Sequence, residues 1–125
     1  MTIQEALDKT DELKPNMMSR PMKINFLQEL DQQIYEEILL THKHEPAEEV
    51  LPEYSDDSDP GTVLLVPDRY AKVYVYWLMC QIDWQQREMD MYNNDRAHYE
   101  AAYAEMQDWW NRTRMPVQRN RQLWI

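Results

Sequence analysis

The chain has 125 residues, a formal net charge of −10, one cysteine and one glycine. That length suits one domain with one core. The lone Cys80 excludes an internal disulfide and suits a reducing compartment, and the single Gly61 leaves nothing from which to build a glycine-rich phosphate loop or a doubly wound nucleotide fold.

Thr2, with Glu5 three residues on, forms the capping box of a first helix. Its apolar face comprises Ile3, Ala6, Leu7 and Leu13, and Pro15 ends it. Ser19 caps a second helix with Pro21 in its first turn. Phe26, Leu27, Leu30, Ile34, Ile38 and Leu39 form its buried stripe, and Glu29, Gln32, Gln33, Glu36 and Glu37 its solvent face. Residues 45–59 carry seven acids and no base, interrupted by prolines, and read as a mobile loop that ends at Pro60 and Gly61. The β-branched, apolar run 62–66 reads as a short extended segment. It is either a strand that pairs within an assembly or a buried connection.

Asp68 is placed to cap a third helix, in which Ala71, Val75, Leu78, Ile82, Met89 and Tyr92 recur at heptad-like spacing. Tyr70, Tyr74, Trp77 and Trp84 spread aromatic surface over more than one side, which calls for more than one neighbour. Together with Val63 and Leu65 they are the candidate subunit-interface residues. Asn93 and Asn94 favour a left-handed turn, and Asp95 an N-cap for a fourth helix bearing Tyr99, Ala102, Tyr103, Met106 and Trp110. That stripe keeps the register of the third helix across the Asn pair. Two helices are the preferred reading, with one long kinked helix as the alternative.

Beyond Pro116 the helical stripe stops. From Asn111 onward there are four arginines (Arg112, Arg114, Arg119 and Arg121) and no acid, so the rest of the chain holds nine of the 13 bases and all 23 acids. This tail reads as a flexible basic arm tipped by an apolar anchor, Leu123, Trp124 and Ile125. The expected fold is all-α, a bundle of about four helices with a short extended segment near 62–66. Residues 1–113, including the acidic loop 43–61, form the helical domain, and 114–125 an extended arm.

Chemistry is sparse. His42, His44 and Glu45 could contribute to a metal site, but cationic side chains at a helix C-terminus are accounted for by the helix dipole. The run 56–61 fails as a calcium loop, because Pro60 takes one ligand position and Pro67 that of the bidentate acid. Cys80 reads as a small core hydrophobe, and His98 sits on a charged face beside Arg96 and Glu100. The sequon at Asn111 matters only if the chain is secreted. The expectation is therefore no enzyme, no cofactor and no metal. The acidic body should repel nucleic acid, and its aromatics lie among acids rather than bases. No run approaches the roughly 18 apolar residues of a membrane span, and the N-terminus lacks a basic signal region.

The order of T-I-Q-E-A-L-D-K-T-D-E-L-K-P-N, F-L-Q-E-L-D-Q-Q-I-Y-E-E, L-L-V-P-D-R-Y, M-Y-N-N, A-A-Y and N-R-T-R-M-P resembles a family of small head-to-tail connector proteins of tailed phages and prophages, from Thr2 to about Pro116. The resemblance implies a virion protein, assembled in the host cytoplasm, that forms a ring, commonly of twelve copies, beneath the portal. It further implies contact with a tail-side neck protein, and an extended channel through which genomic DNA passes without tight binding. By the same resemblance Arg112, Arg114, Arg119, Arg121, Leu123, Trp124 and Ile125 form the portal-docking arm. The alternative is a small acidic cytosolic regulator that imitates nucleic acid and acts by protein–protein binding.

Overall fold

The structure, a computed structural model, describes residues 1–115. It is all-α: α1 (Ile3–Leu13), α2 (Arg20–Ile34), α3 (Lys72–Gln86) and α4 (Met89–Thr113). The last turn of α2 widens into a π-helical turn, Tyr35–Leu39, and short 3-10 turns occupy Pro46–Glu48 and Asp68–Tyr70. Among the described residues no strand forms.

Of the four predicted N-caps, those of Thr2 and Ser19 are in place. Thr2 Oγ1 accepts from Glu5 N at 3.1 Å while Glu5 Oε1 accepts from Thr2 N at 3.2 Å, closing the capping box. Ser19 Oγ accepts from Met22 N at 3.3 Å. The buried face of α1 is Ile3, Ala6, Leu7 and Thr10, and it continues to the buried Lys14. Leu13, expected on that face, is 58% exposed. The stripe recurs at helical spacing through Thr10 and Lys14, and Leu13 falls one position off it. On α2, Leu27, Leu30, Ile34, Ile38 and Leu39 are buried as expected, and Phe26 only partly so.

The division between the third and fourth helices lies elsewhere than the Asn pair suggests. Arg87 adopts a left-handed conformation (φ 61°, ψ 30°) and ends α3, its N–H donating to the carbonyls of Asp83 and Trp84. Helix α4 then runs unbroken through Asn93 and Asn94, both exposed. The Asn pair is no hairpin turn but lies within one continuous helix, and Asp95 is no N-cap but a buried helical residue. Tertiary packing decides this, since α3 and α4 zip together antiparallel through a ladder of rings. Trp84 meets Tyr92 at 5.6 Å, Trp77 meets Tyr99 at 5.1 Å and, beyond the start of α3, Tyr70 meets Trp109 at 5.5 Å. That pairing requires the chain to reverse just after Trp84, and it overrides the weak local preference of asparagine.

Asp68 does not cap α3, whose cap position is Ala71 without a side-chain bond. Asp68 opens the preceding 3-10 turn, and its carboxylate meets the Met1 ammonium.

The acidic loop is a loop as expected, but one tied to the bundle. Gln32 Nε2 donates to Pro52 O (2.8 Å), Tyr54 N donates to Gln28 Oε1 (2.8 Å), and Arg20 pairs with Asp56 (2.5 Å). Of the two readings for 62–66, the structure holds the connection. Ile3 N donates to Thr62 O and Leu64 N to Met1 O, both at 2.9 Å, around an isolated antiparallel bridge between Thr2 and Val63. Leu64 and Val66 are buried, and Val63 points outward at 69% exposed.

The turn position is testable. Arg87→Gly relieves a left-handed non-glycine residue and should stabilise the fold by up to about 1 kcal/mol, and Asn94→Ala should stabilise it by roughly 0.5 kcal/mol through helix propensity. Urea denaturation measures both, and a loss of stability in Asn94→Ala would contradict a continuous α4.

Candidate functional site

Two buried polar clusters and a partly aromatic surface are the features with functional potential. The first cluster centres on Asp31, fully buried on α2. Its Oδ1 accepts from Tyr74 OH (2.5 Å), and its Oδ2 accepts from Tyr54 OH (2.5 Å) and Leu65 N (3.1 Å). Tyr74 OH in turn accepts from Val66 N at 2.7 Å. Burial raises the Asp31 carboxyl above its ordinary range despite these three donors, and burial beside Asp31 pushes both tyrosine hydroxyls up.

In the second cluster, Lys14 from the end of α1 reaches Asp83 on α3 and Asp95 on α4, the latter at 3.1 Å. All three are buried; Asp95 meets Lys14 through its Oδ2, and Asp83 Oδ2 has no hydrogen-bond partner. Two acids share one cation here. Burial and the neighbouring Asp95 raise the Asp83 carboxyl to about 6, with Lys14 opposing. Burial disfavours the charged Lys14, but its bonds to the two aspartates outweigh that and leave its proton held more firmly than usual. Cys80 lies buried nearby, its thiol pushed up to about 12 chiefly by burial, so it stays protonated and packs as a small hydrophobe.

The six candidate interface residues divide. Tyr74 is fully enclosed and committed to Asp31, so it has no surface to offer a neighbour. This corrects the expectation: its aromatic body supports the bundle rather than an assembly. Trp77, whose Nε1 donates to Phe26 O at 2.8 Å, Tyr70 and Leu65 are half-buried. Trp84 and Val63 remain open, at 56% and 69% exposed. Near Trp84, the α3–α4 turn also exposes Met89 and Met91, and Gln85 touches the exposed Met22 through its sulfur.

At the far end of α4, Arg112 is exposed, whereas Arg114 is fastened down. It pairs with Glu48 at 2.9 Å and lies over the Trp110 ring at 5.1 Å from its centre. Lys43 N donates to Met115 O at 2.8 Å. The first residues of the expected arm are therefore held against the bundle. Arg119, Arg121, Leu123, Trp124 and Ile125 lie outside the described residues.

The two histidines weighed as metal ligands are both engaged. His42, buried, sets Nδ1 against Ile38 O (2.7 Å) and Nε2 against the Asn111 side-chain amide (2.6 Å). His44 bonds His42 O and Glu49, both at 2.7 Å, and these partners raise its proton affinity. Among the described residues no group of three or more His, Cys, Asp or Glu side chains is placed to hold a metal ion, and no helix is long and apolar enough to cross a membrane.

Comparison with protein-family models, with curated proteins and with solved structures finds no match.

Neither buried cluster was foreseen, although a signal was present. Asp31 falls on the stripe between Leu27 and Ile34, and Asp95 falls between Tyr92 and Tyr99. A charged residue in register with an apolar stripe is a candidate for burial with a partner.

The Lys14 cluster makes stability depend on pH. Because Asp83 is raised from 3.8 to about 6 in the folded chain, its contribution is complete below the unfolded value and is lost as pH rises through about 6. Asp83→Asn keeps the shape without titrating, so the fall in unfolding free energy between pH 5 and 7, read by urea titration, should flatten. A slope identical to that of the parent protein would contradict the assignment.

Proposed function

We propose that this protein is a head-to-tail adaptor of a tailed phage, a structural component that forms a ring beneath the portal, extends the DNA channel and links the head to a tail-side neck protein. The observation that carries this reading is the anchored root of the C-terminal segment. Arg114 is clamped by Glu48 and Trp110, and the Met115 carbonyl by Lys43. Such a clamp fixes the point on the body at which the arginine-rich segment begins, as a segment that docks in a partner's socket requires.

Three further features support it. The order of sequence motifs resembles that of known connectors. The buried carboxylates, cysteine and tyrosines of the described residues are enclosed in the bundle, which suits a scaffold. The strongly acidic body suits a conduit along which a polyanion slides without sticking.

Removing residues 119–125 should abolish binding to a candidate portal protein from the same genome, measured by co-sedimentation, while leaving the helical circular dichroism intact. Undiminished binding would overturn the docking-arm role. A tight stoichiometric complex with a host DNA-binding protein, and none with the portal, would favour an acidic inhibitor instead.

A further inference from the structure

Two parts of the surface are complementary to each other yet do not meet within one chain. Between α1 and the start of α3 lies a hollow of about 240 Å³ whose lining includes Lys9, Leu13, Arg69, Lys72 and Val75. Three cations surround it against one carboxylate, Asp68, which is itself engaged by the Met1 ammonium. Lys72 pairs with Glu105 of α4 at 3.2 Å, whereas Lys9 and Arg69, both exposed, have no carboxylate partner among the described residues. Its apolar part is open, because Leu13 is 58% exposed. On a chain of net charge −10 this is a basic island with an apolar floor.

The acidic loop is its counterpart. The ion pairs of the loop go to Arg20, His44 and Arg114, which leaves Glu45, Glu53, Asp57 and Asp59 exposed and without a cation among the described residues, Glu53 and Asp57 being the first two of these after Leu51 in sequence. Between Glu49 and Glu53 stand Val50 and Leu51, 71% and 42% exposed. The segment thus presents two apolar side chains flanked by acids. No ion pair or hydrogen bond joins it to Lys9, Arg69 or Lys72 in the same chain.

We infer that the hollow bounded by Lys9, Arg69 and Lys72 receives the acidic loop segment of a second copy of this chain, with Val50 and Leu51 over Leu13 and Val75 and with Glu53 and Asp57 meeting the cations. Because the two patches differ, each copy uses one to receive and the other to donate, a heterologous contact that propagates around a ring. The inference rests on the ring proposed above and supplies its subunit contact. Exposed ion pairs contribute little individually, so the apolar pair supplies affinity while the charges set register and discriminate against wrong partners.

The experiment uses the full chain in three forms: the parent, K9E/R69E and E53K/D57K. None of the four substituted residues has an ion-pair partner within the chain among the described residues, so folding should persist, and circular dichroism checks it. Sedimentation is combined with carbodiimide cross-linking between isotopically light and heavy copies. The parent should self-associate and give cross-links between copies from Lys9 or Lys72 to Glu53 or Asp57, weakening as salt rises. Each variant alone should associate at least about tenfold more weakly, because like charges then face each other. An equimolar mixture should recover association, since the reversed hollow of one fits the reversed loop of the other. A parent without cross-links between copies at any concentration overturns the inference, as do variants that associate like the parent or a mixture that fails to recover. Portal binding is read separately in the truncation experiment, so failure of this contact and failure of the adaptor reading are distinguishable.

Discussion

The arrangement of this protein depends on one buried carboxylate. Asp31 sits in the last turn of α2 with no exposure, and it binds Tyr54 from the acidic loop, Leu65 from the extended segment and Tyr74 from α3. An isolated charge in such a place would be strongly unfavourable, and three donors offset much of that cost. Burial still prevails, holding the carboxyl above its usual range. Apolar packing alone would let the loop and the extended segment slide over α2. Directional bonds to one acceptor fix their register, because any slip leaves a buried donor or acceptor unpaired.

The same logic recurs on the other side of the bundle, where Lys14 draws α1, α3 and α4 together through Asp83 and Asp95. The two clusters differ in completeness. Both Asp31 oxygens are satisfied, whereas the Lys14 cluster leaves Asp83 Oδ2 without a hydrogen-bond partner. The α1–α3–α4 junction is accordingly where acidity acts on this fold, and the Asp31 junction is where its topology is specified.

Most of the helical architecture was legible in the sequence because its signals are local. The Thr2 and Glu5 box, the Ser19 cap with Pro21, and the stripes of α2 and α4 each involve residues within a turn or two of one another. The turn at Arg87 carries no such signal. Arginine is not a left-handed residue by preference, and it adopts that conformation because Trp77 and Trp84 must face Tyr99 and Tyr92. Conversely, Asn93 and Asn94 have local turn character that long-range packing overrides. The register kept across them was the sign of an unbroken helix. Of the six candidate interface residues, Trp84 and Val63 are open to solvent, whereas Tyr74 is core, which the sequence does not reveal because a tyrosine's hydroxyl reads as a surface group until its buried acceptor is known. The hollow around Lys9, Arg69 and Lys72 joins residues some sixty positions apart, a distance over which sequence periodicity says nothing.

These elements place the buried polar clusters inside the bundle and the acidic loop and basic hollow at its surface. The bundle encloses Asp31, Asp83 and Asp95 and much of its aromatic surface, and Arg114 and Met115 are held against the body. The reading of this protein as a phage neck adaptor stands on that division. Cryo-electron microscopy of the neck of particles carrying this protein tests it most directly. The expected density is a ring of helical subunits between portal and tail, with the 45–59 loop of each subunit against the Lys9, Arg69 and Lys72 hollow of the next. A neck from which the protein is absent would contradict the account.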